Sequence, residues 1–592
     1  MDIFKQTETD LLAIIAEYVG DDLRLVKDKI KFSVPPAKMS ADYSTNAAMV
    51  LAKVKKQAPP VIAQAIASQA QSIQYVNNID IVGGYININY TKDAWKKFLG
   101  EIILAGDHFG DGQPRERVLL EFISANPTGP LHIGHTRGAI LGLALDKLLT
   151  KAGYQVTTEY YINDYGVQIH TLLRSIHFRY RQACGLDVNT PLPAGCYPGD
   201  YLLPLAASLQ KKYGDRYINC PETEFYKRFK DEAVDAMMTL IRQDVADLGL
   251  TYDNFVSETK IVESGAIDQA LSFLAPKKVT ISDAEGQTQE VDLLYQGKLD
   301  APLGRPANEQ EQEDSRHDTG CQTLFRSSVF GDDRDRVVKR SDGSTTYFAS
   351  DIAYHYDKIQ RGYPILINLF GADHGGYVKR LTGVVRALSD DQTRLEVQLM
   401  QLVKLEKNGQ PFKMSKRAGN FVLLSDVVKQ VDTDELKLFI LSKSADTPMT
   451  FDLVKVKQKS QDNPVYYIQY ACTRTFSLQR KYQSVFGADY IYQSTDWADL
   501  PLEHPLIRQL ASKLARYPSL IQQAARHRAP YIVVTYLQEL ASLFHSVWGT
   551  QLKFIDTNNQ PRSQAMLALT TSVQTVLVSA LACLGIKPKQ EM

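Results

Sequence analysis

Cysteine is scarce in this 592-residue chain, and the six that occur do not cluster. Cys184, Cys196, Cys220, Cys321, Cys472 and Cys583 include no Cys-x-x-Cys pair, which excludes a zinc knuckle and a disulfide framework and fits a reducing compartment. Net charge is absent too: 67 basic residues balance 67 acidic ones. Indiscriminate polyanion binding is thereby disfavoured, although a local basic face is not. The opening MDIFKQTETD lacks the basic start and apolar core of a secretory signal, so a cytoplasmic protein is expected. One long uncharged run exists, Ser563 to Ile586. It carries Gln, Ser and Thr and no aromatic belt, so it reads as a buried helix, and no membrane contact is expected.

What is present is an ordinary globular composition, 44% apolar and 23% charged, at a length suited to about three to five domains. Residues 1–110 read as a small α+β unit. Helical periodicity runs over Phe4 to Val19, Ser44 to Lys56 and Pro60 to Ser72, and Ile79 to Tyr90 reads as strand with Gly83-Gly84 interrupting it. A Gly-, Asp- and Pro-rich linker, Ala105 to Arg117, follows.

The chain is organised around Glu121 to Lys151. An apolar run, Val118 to Ile123, has the make-up of a buried strand, and a Pro/Gly turn leads to His132-Ile133-Gly134-His135 at the mouth of a helix. Two imidazoles three residues apart share one side of a helical turn. Unpaired N–H groups and the dipole at a helix start suit phosphate. Gly134 would let a base or ribose approach the backbone. Gln155 to Ile162 continues as a strand, so strand, helix, strand points to a doubly wound parallel sheet with ligands beyond the strands' carboxyl ends. Residues 170–320 read as a helical insertion ending in a polar, mobile surface stretch near 281–318. Val337 to Asp351 reads as two extended pieces around Ser341-Asp342-Gly343. Ile365 to Phe370 is a buried strand ending in Gly371-Ala372-Asp373-His374, suited to the ribose or adenine side of a nucleotide. Lys413-Met414-Ser415-Lys416 places two ammonium groups where a loop could reach a triphosphate. From Phe451 onward the chain reads as helices with 15 Lys/Arg against 9 Asp/Glu, opened by the tyrosine-rich stretch from Asn463 to Ala471.

His132 to His135 and Lys413 to Lys416, about 280 residues apart in this order, resemble the HIGH and KMSK signatures of class I aminoacyl-tRNA synthetases. With Gly371 to His374, Arg417-Ala418-Gly419-Asn420 and Asn463 to Ala471, the chain resembles arginyl-tRNA synthetases of the bacterial type over nearly its whole length. Cys472 departs from the His common at that place. The resemblance implies a Rossmann-like α/β catalytic domain over 115–425, an N-terminal α+β domain over 1–110 that contacts the tRNA elbow, and an all-α anticodon-binding bundle over 426–592. It further implies ATP with Mg2+ as substrate and no structural metal. tRNA(Arg) and L-arginine are the other partners, and a monomer is expected.

By the same resemblance His132, His135, Lys413 and Lys416 are catalytic. Gly134, Gly371, Asp373, His374, Met414 and Ser415 join them around ATP. Glu121, Tyr347 and Asp351 hold the guanidinium side of arginine, while Ser124, Asn126, His135 and Gln168 complete its site. Tyr466, Tyr470 and Arg474 touch tRNA. The physical case for arginine is independent: guanidinium has five donors and no acceptor, so its pocket wants carboxylates. No large editing domain is apparent, as expected where every donor of the substrate is hydrogen-bonded. Three rivals stay open at this point: another class I synthetase such as the cysteine enzyme, a non-catalytic tRNA-binding paralogue, and a small His-x-Gly-His nucleotidyltransferase.

Overall fold

Five parallel strands form the central sheet of the computed structural model, which describes residues 3–33, 35, 41–282, 286–298, 320–407, 409–411, 422–454, 456 and 464–592. In chain order they are β1 (Arg117–Glu121), β2 (Gln155–Ile162), β3 (Asn254–Ser257), β4 (Ile365–Gly371) and β5 (Arg394–Met400). Across the sheet the order is β5-β4-β1-β2-β3. Ile365 and Val156 flank Val118 in register, and Val118, Leu119 and Leu120 are buried on both faces. Such continuous apolar runs are what a sheet covered on both sides requires. The helices between them include α1 (Ile133–Lys151), α2 (Val167–Ala183), α3 (Glu222–Asp247), α4 (Tyr347–Gln360) and α5 (Val378–Ser389).

From the central β1 the chain moves first to β2 on one side and later to β4 on the other. The crevice between β1 and β4 is therefore a topological switch point, the standard ligand position in such sheets.

The parallel sheet and the helical C-terminal part agree with the fold class read from the sequence. Several details differ. Strand β1 stops at Glu121 because Ile123 and Ser124 turn into the left-handed region, at φ of 66° and 42°. The stretch read as an insertion contributes the edge strand β3, which pairs Tyr160 with Phe255. Of the two extended pieces expected around Ser341 to Gly343, only Arg336–Lys339 is a strand, and it belongs to a separate antiparallel sheet with Leu294–Gly297 and Gln322–Phe325. The second piece is the start of α4, capped by Thr346, whose hydroxyl accepts from Ala349 N.

The contacts divide the chain into two units, 113–458 and 1–112 with 459–592. The boundary expected at 426 thus falls after Gln458. Met449–Asp452 pairs in parallel with Val403 to Glu406, and helix Thr433–Leu441 packs on α1, so this segment is held by the 113–458 unit. The N-terminal domain and the helical bundle, expected as separate bodies, form the other unit. Its four-stranded sheet carries the hairpin Val76–Val82 and Tyr85–Tyr90. Asp42 is buried beneath Arg508, which donates to it from Nε (2.9 Å) and Nη2 (2.5 Å). Helix Gln560–Ala582 is apolar and long enough to cross a membrane by length and composition, yet 72% of its apolar window is buried in the protein.

Candidate active site

The loop after β1 and the first turn of α1 line a cavity of about 1050 Å³ beyond the carboxyl ends of the central strands. Here the His-Ile-Gly-His tetrapeptide has a definite local cause. His132 is the N-cap of α1, and its Nδ1 accepts from Gly134 N at 3.1 Å. His135 returns the favour, its Nδ1 accepting from His132 N at 3.3 Å. The rings stack with centroids 3.9 Å apart. This reciprocal cap satisfies two helix-end donors. It also sets the tautomer: a neutral imidazole whose Nδ1 accepts must carry its proton on Nε2. Burial pushes the pKa of His132 down, and burial with the neighbouring ring pushes that of His135 down to about 3. Both rings are therefore neutral Nε2–H donors at physiological pH. Gly134 earns its place for a reason the sequence did not suggest. A Cβ there would lie 2.8 Å from His132 Cε1, so the glycine makes room for the capping ring.

The loop itself is held from afar. Leu131 N donates to Asp244 Oδ2 (2.7 Å), and burial pushes the Asp244 carboxyl up to about 6. Ile133 N donates to Val422 O (2.9 Å) and Leu424 N to Leu131 O (2.9 Å).

The residues expected around the amino acid converge on this cavity. Asn126 Nδ2 donates to Gln168 Oε1 at 2.6 Å, and both line the cavity with Ser124, Tyr347 and Asp351. The Asp351 carboxylate accepts from the Tyr377 hydroxyl. Tyr347 reaches Gly166, which takes φ +88°; a Cβ there would come within 2.4 Å of the tyrosine oxygen. Gly371, Asp373 and His374 also border the cavity, at the end of β4.

Glu121 lines the cavity, but its charge is already spent. Oε2 lies 2.5 Å from the fully buried ammonium of Lys358, and Oε1 accepts from Ser124 Oγ at 3.1 Å. Lys358 also donates to Asn368 Oδ1 (3.3 Å). Next to it in register, Glu159 is gripped by Arg361 at 2.5 and 3.0 Å and by Tyr354 at 2.8 Å. Burial raises the Glu159 pKa, but Arg361, Lys358 and Tyr354 outweigh it and hold the carboxyl below its usual range.

The residue that sequence reading missed is Glu258. It is 2% exposed, and burial, with Asp351 and Asp164 close by, pushes its carboxyl up to about 8. With the Asn163 amide turned so that its nitrogen faces the carboxylate, Nδ2 lies 2.8 Å from Glu258 Oε2. A concentration of carboxylates that cannot all ionise is poised for a cation. The expected Lys413, Met414, Ser415 and Lys416 lie outside the described residues.

Three family models match the chain: the arginyl tRNA synthetase N terminal domain over 5–90, the class I (R) tRNA synthetase catalytic domain over 101–191, and the DALR anticodon binding domain over 468–592. A curated arginine–tRNA ligase of Ruegeria pomeroyi is 43% identical over 576 residues, covering 95% of each chain. The chain belongs to the arginine–tRNA ligase family. Another arginine–tRNA ligase, from Cereibacter sphaeroides, is 42% identical over 604 residues and covers 100% of both chains. The arginyl-tRNA synthetase of Thermus thermophilus shares the fold, with a TM-score of 0.69 at 19% identity over 98% of this chain and 99% of that one.

In the part matching the anticodon binding domain, Arg474 lies over the rings of Tyr470 (4.3 Å) and Trp548 (4.7 Å). Tyr466, just ahead of the matched residues, stacks on Tyr470 at 5.7 Å. Arg474 Nη1 donates to His545 Nδ1 at 2.9 Å, while His545 Nε2 donates to Tyr467 O at 3.4 Å. Burial, then Arg474, pushes the His545 pKa down to about 4, so the imidazole is neutral. The three expected tRNA residues therefore form one half-buried group of rings around a guanidinium.

Proposed function

We propose the following division of labour in an enzyme that joins L-arginine to tRNA(Arg) at the expense of ATP. The arginine carboxylate attacks the α-phosphorus of ATP, forming arginyl-adenylate and releasing pyrophosphate; the arginyl group then passes to the terminal adenosine of the tRNA. Negative charge builds on phosphate oxygens, so catalysis is chiefly positioning and charge stabilisation. His132 and His135 donate to phosphate through Nε2–H, aided by the N-terminus of α1. Being neutral, they supply directed dipoles, and the positive charge comes from Lys413 and Lys416 on the leaving pyrophosphate and from the Mg2+ that enters with ATP. Gly371, Asp373 and His374 border the nucleoside.

Arginine lies at the acidic end. Asp351 and Glu258 share the guanidinium, Tyr347 closes over it, and Ser124, Asn126 and Gln168 take the α-amino and carboxylate end. Glu121, neutralised by Lys358, shapes the wall through Ser124 rather than acting as the counter-charge expected from sequence. The ring cluster of Tyr466, Tyr470 and Arg474 stacks on unpaired anticodon bases, and the N-terminal domain meets the tRNA elbow. We place the enzyme in the cytoplasm as a monomer, the latter checked by light scattering on the eluting protein.

The observation that carries this reading is the meeting, in one cavity, of a paired imidazole cap at a helix start and the Asp351 carboxylate, which lies beside the buried Glu258. Charging of total tRNA with ATP, run against each amino acid, tests it. Arginine alone should be incorporated. Incorporation of another amino acid, or none, would overturn the assignment.

A further inference from the structure

Arg137 lies on the second turn of α1, is 3% exposed, and spends its guanidinium on two main-chain carbonyls from distant segments. Nη1 donates to Gln401 O at 2.8 Å and Nη2 to Ser444 O at 2.7 Å. Those segments are joined to each other, since Gln401 N donates to Ala445 O at 3.0 Å. Met400, Gln401 and Leu402 form the wall of the cavity where β5 ends, and Gly138, beside Arg137, faces Met400 so closely that an added Cβ would lie 3.2 Å from its Cε.

We propose that Arg137 is a positioning residue for adenylate formation: it fixes the Met400–Leu402 wall against the helix turn that carries His132 and His135. The distance across the nucleotide end of the cavity is then set by one planar fork bridging two chain segments. A planar fork of donors can satisfy two carbonyls at once, whereas an ammonium is a single point on a flexible stem. The backbone bonds from Ile133 N to Val422 O and from Leu424 N to Leu131 O tie down the other side of the same turn. Arg137 lines the same cavity but gives its side-chain hydrogen bonds to Gln401 and Ser444, whereas at the arginine end Asn126 bonds Gln168 and Asp351 accepts from Tyr377. Its influence should therefore fall on ATP and leave arginine alone.

This inference rests on the placement of ATP beside His132 and His135, and the experiment separates the two. ATP–pyrophosphate exchange is measured in the presence of tRNA for Arg137→Gln, Arg137→Lys and His135→Ala, with thermal melting followed for each. Arg137→Gln should lower kcat/KM for ATP about 10- to 100-fold, the worth of a hydrogen bond to a charged group, with KM for arginine within about twofold of the parent. Arg137→Lys, which keeps the charge and one carbonyl bond, should recover part of the loss, and it serves alone if the glutamine variant does not fold. Unchanged ATP parameters in either folded variant, or equal losses toward ATP and arginine, would overturn the role of Arg137. If His135→Ala leaves exchange intact, the nucleotide placement itself fails, and the Arg137 assignment with it.

Discussion

The ammonium of Lys358 sits 2.5 Å from Glu121 Oε2 with no exposure of its own, making a buried ion pair with a carboxylate that lines the cavity. A pair of this kind is costly to break, because the survivor is left as an uncompensated charge. Lys358→Met should therefore destabilise the catalytic unit by about 3–5 kcal/mol in urea denaturation. Adding Glu121→Gln to it should restore most of the loss. A single substitution that left the midpoint unmoved would mean the pair is not formed.

Arginine binding should depend on pH through Glu258. In the free protein its carboxyl titrates at about 8, because burial, Asp351 and Asp164 all favour the neutral form. A bound guanidinium favours the carboxylate, so binding releases a proton and tightens as pH rises to about 8, then levels. The slope cannot exceed about tenfold per pH unit for one proton. Calorimetry in buffers of different ionisation enthalpy would show the release. Glu258→Gln should flatten the profile, and a profile equally steep in that variant would clear Glu258 of the role. The sign for stability is opposite: the unfolded chain ionises above about 4.5 while the native carboxyl stays protonated, so without arginine this group lowers stability as pH rises from 4.5 to 8.

Removing either phosphate-directed group should slow activation without loosening arginine. Lys416→Ala and His135→Ala are each expected to lower the single-turnover rate of adenylate formation by about two orders of magnitude or more. Arginine affinity, read by equilibrium dialysis, should change little. A normal rate in the lysine variant would remove that loop from the mechanism.

Arg474→Ala should act on the nucleic acid alone. Loss of one stacking partner is worth about 1–3 kcal/mol, or roughly 5- to 150-fold in affinity for tRNA. Filter binding measures this, with KM for ATP and arginine as the control. A tRNA affinity within twofold of the parent would return Arg474 to a purely structural part in the bundle.

Much of the site was readable because its signals are local. Turn, histidine spacing and helix start stand within a dozen residues of each other, and Gly371 to His374 follows its strand directly. What could not be read depends on distant partners. Asp244 supports Leu131 across 113 positions, and Glu258 becomes unusual only because folding buries it beside Asp351. Nothing in the sequence around Glu121 announces that Lys358, 237 positions on, will claim its charge. Tyr347 looked extended because its polar neighbours resemble a hairpin. The capping hydroxyl of Thr346 decides for helix instead.

The union of the two chain ends in one unit has a consequence for biosynthesis. Asp42 leaves the ribosome early, yet Arg508, which covers it, follows 466 positions later. The domain made first must wait, with a carboxylate meant for burial still in water, until almost the whole polypeptide has emerged. Contacts of such long sequence separation are slow to form. A nascent chain stalled short of the bundle should therefore expose its amino-terminal domain to proteases and chaperones that the finished enzyme resists.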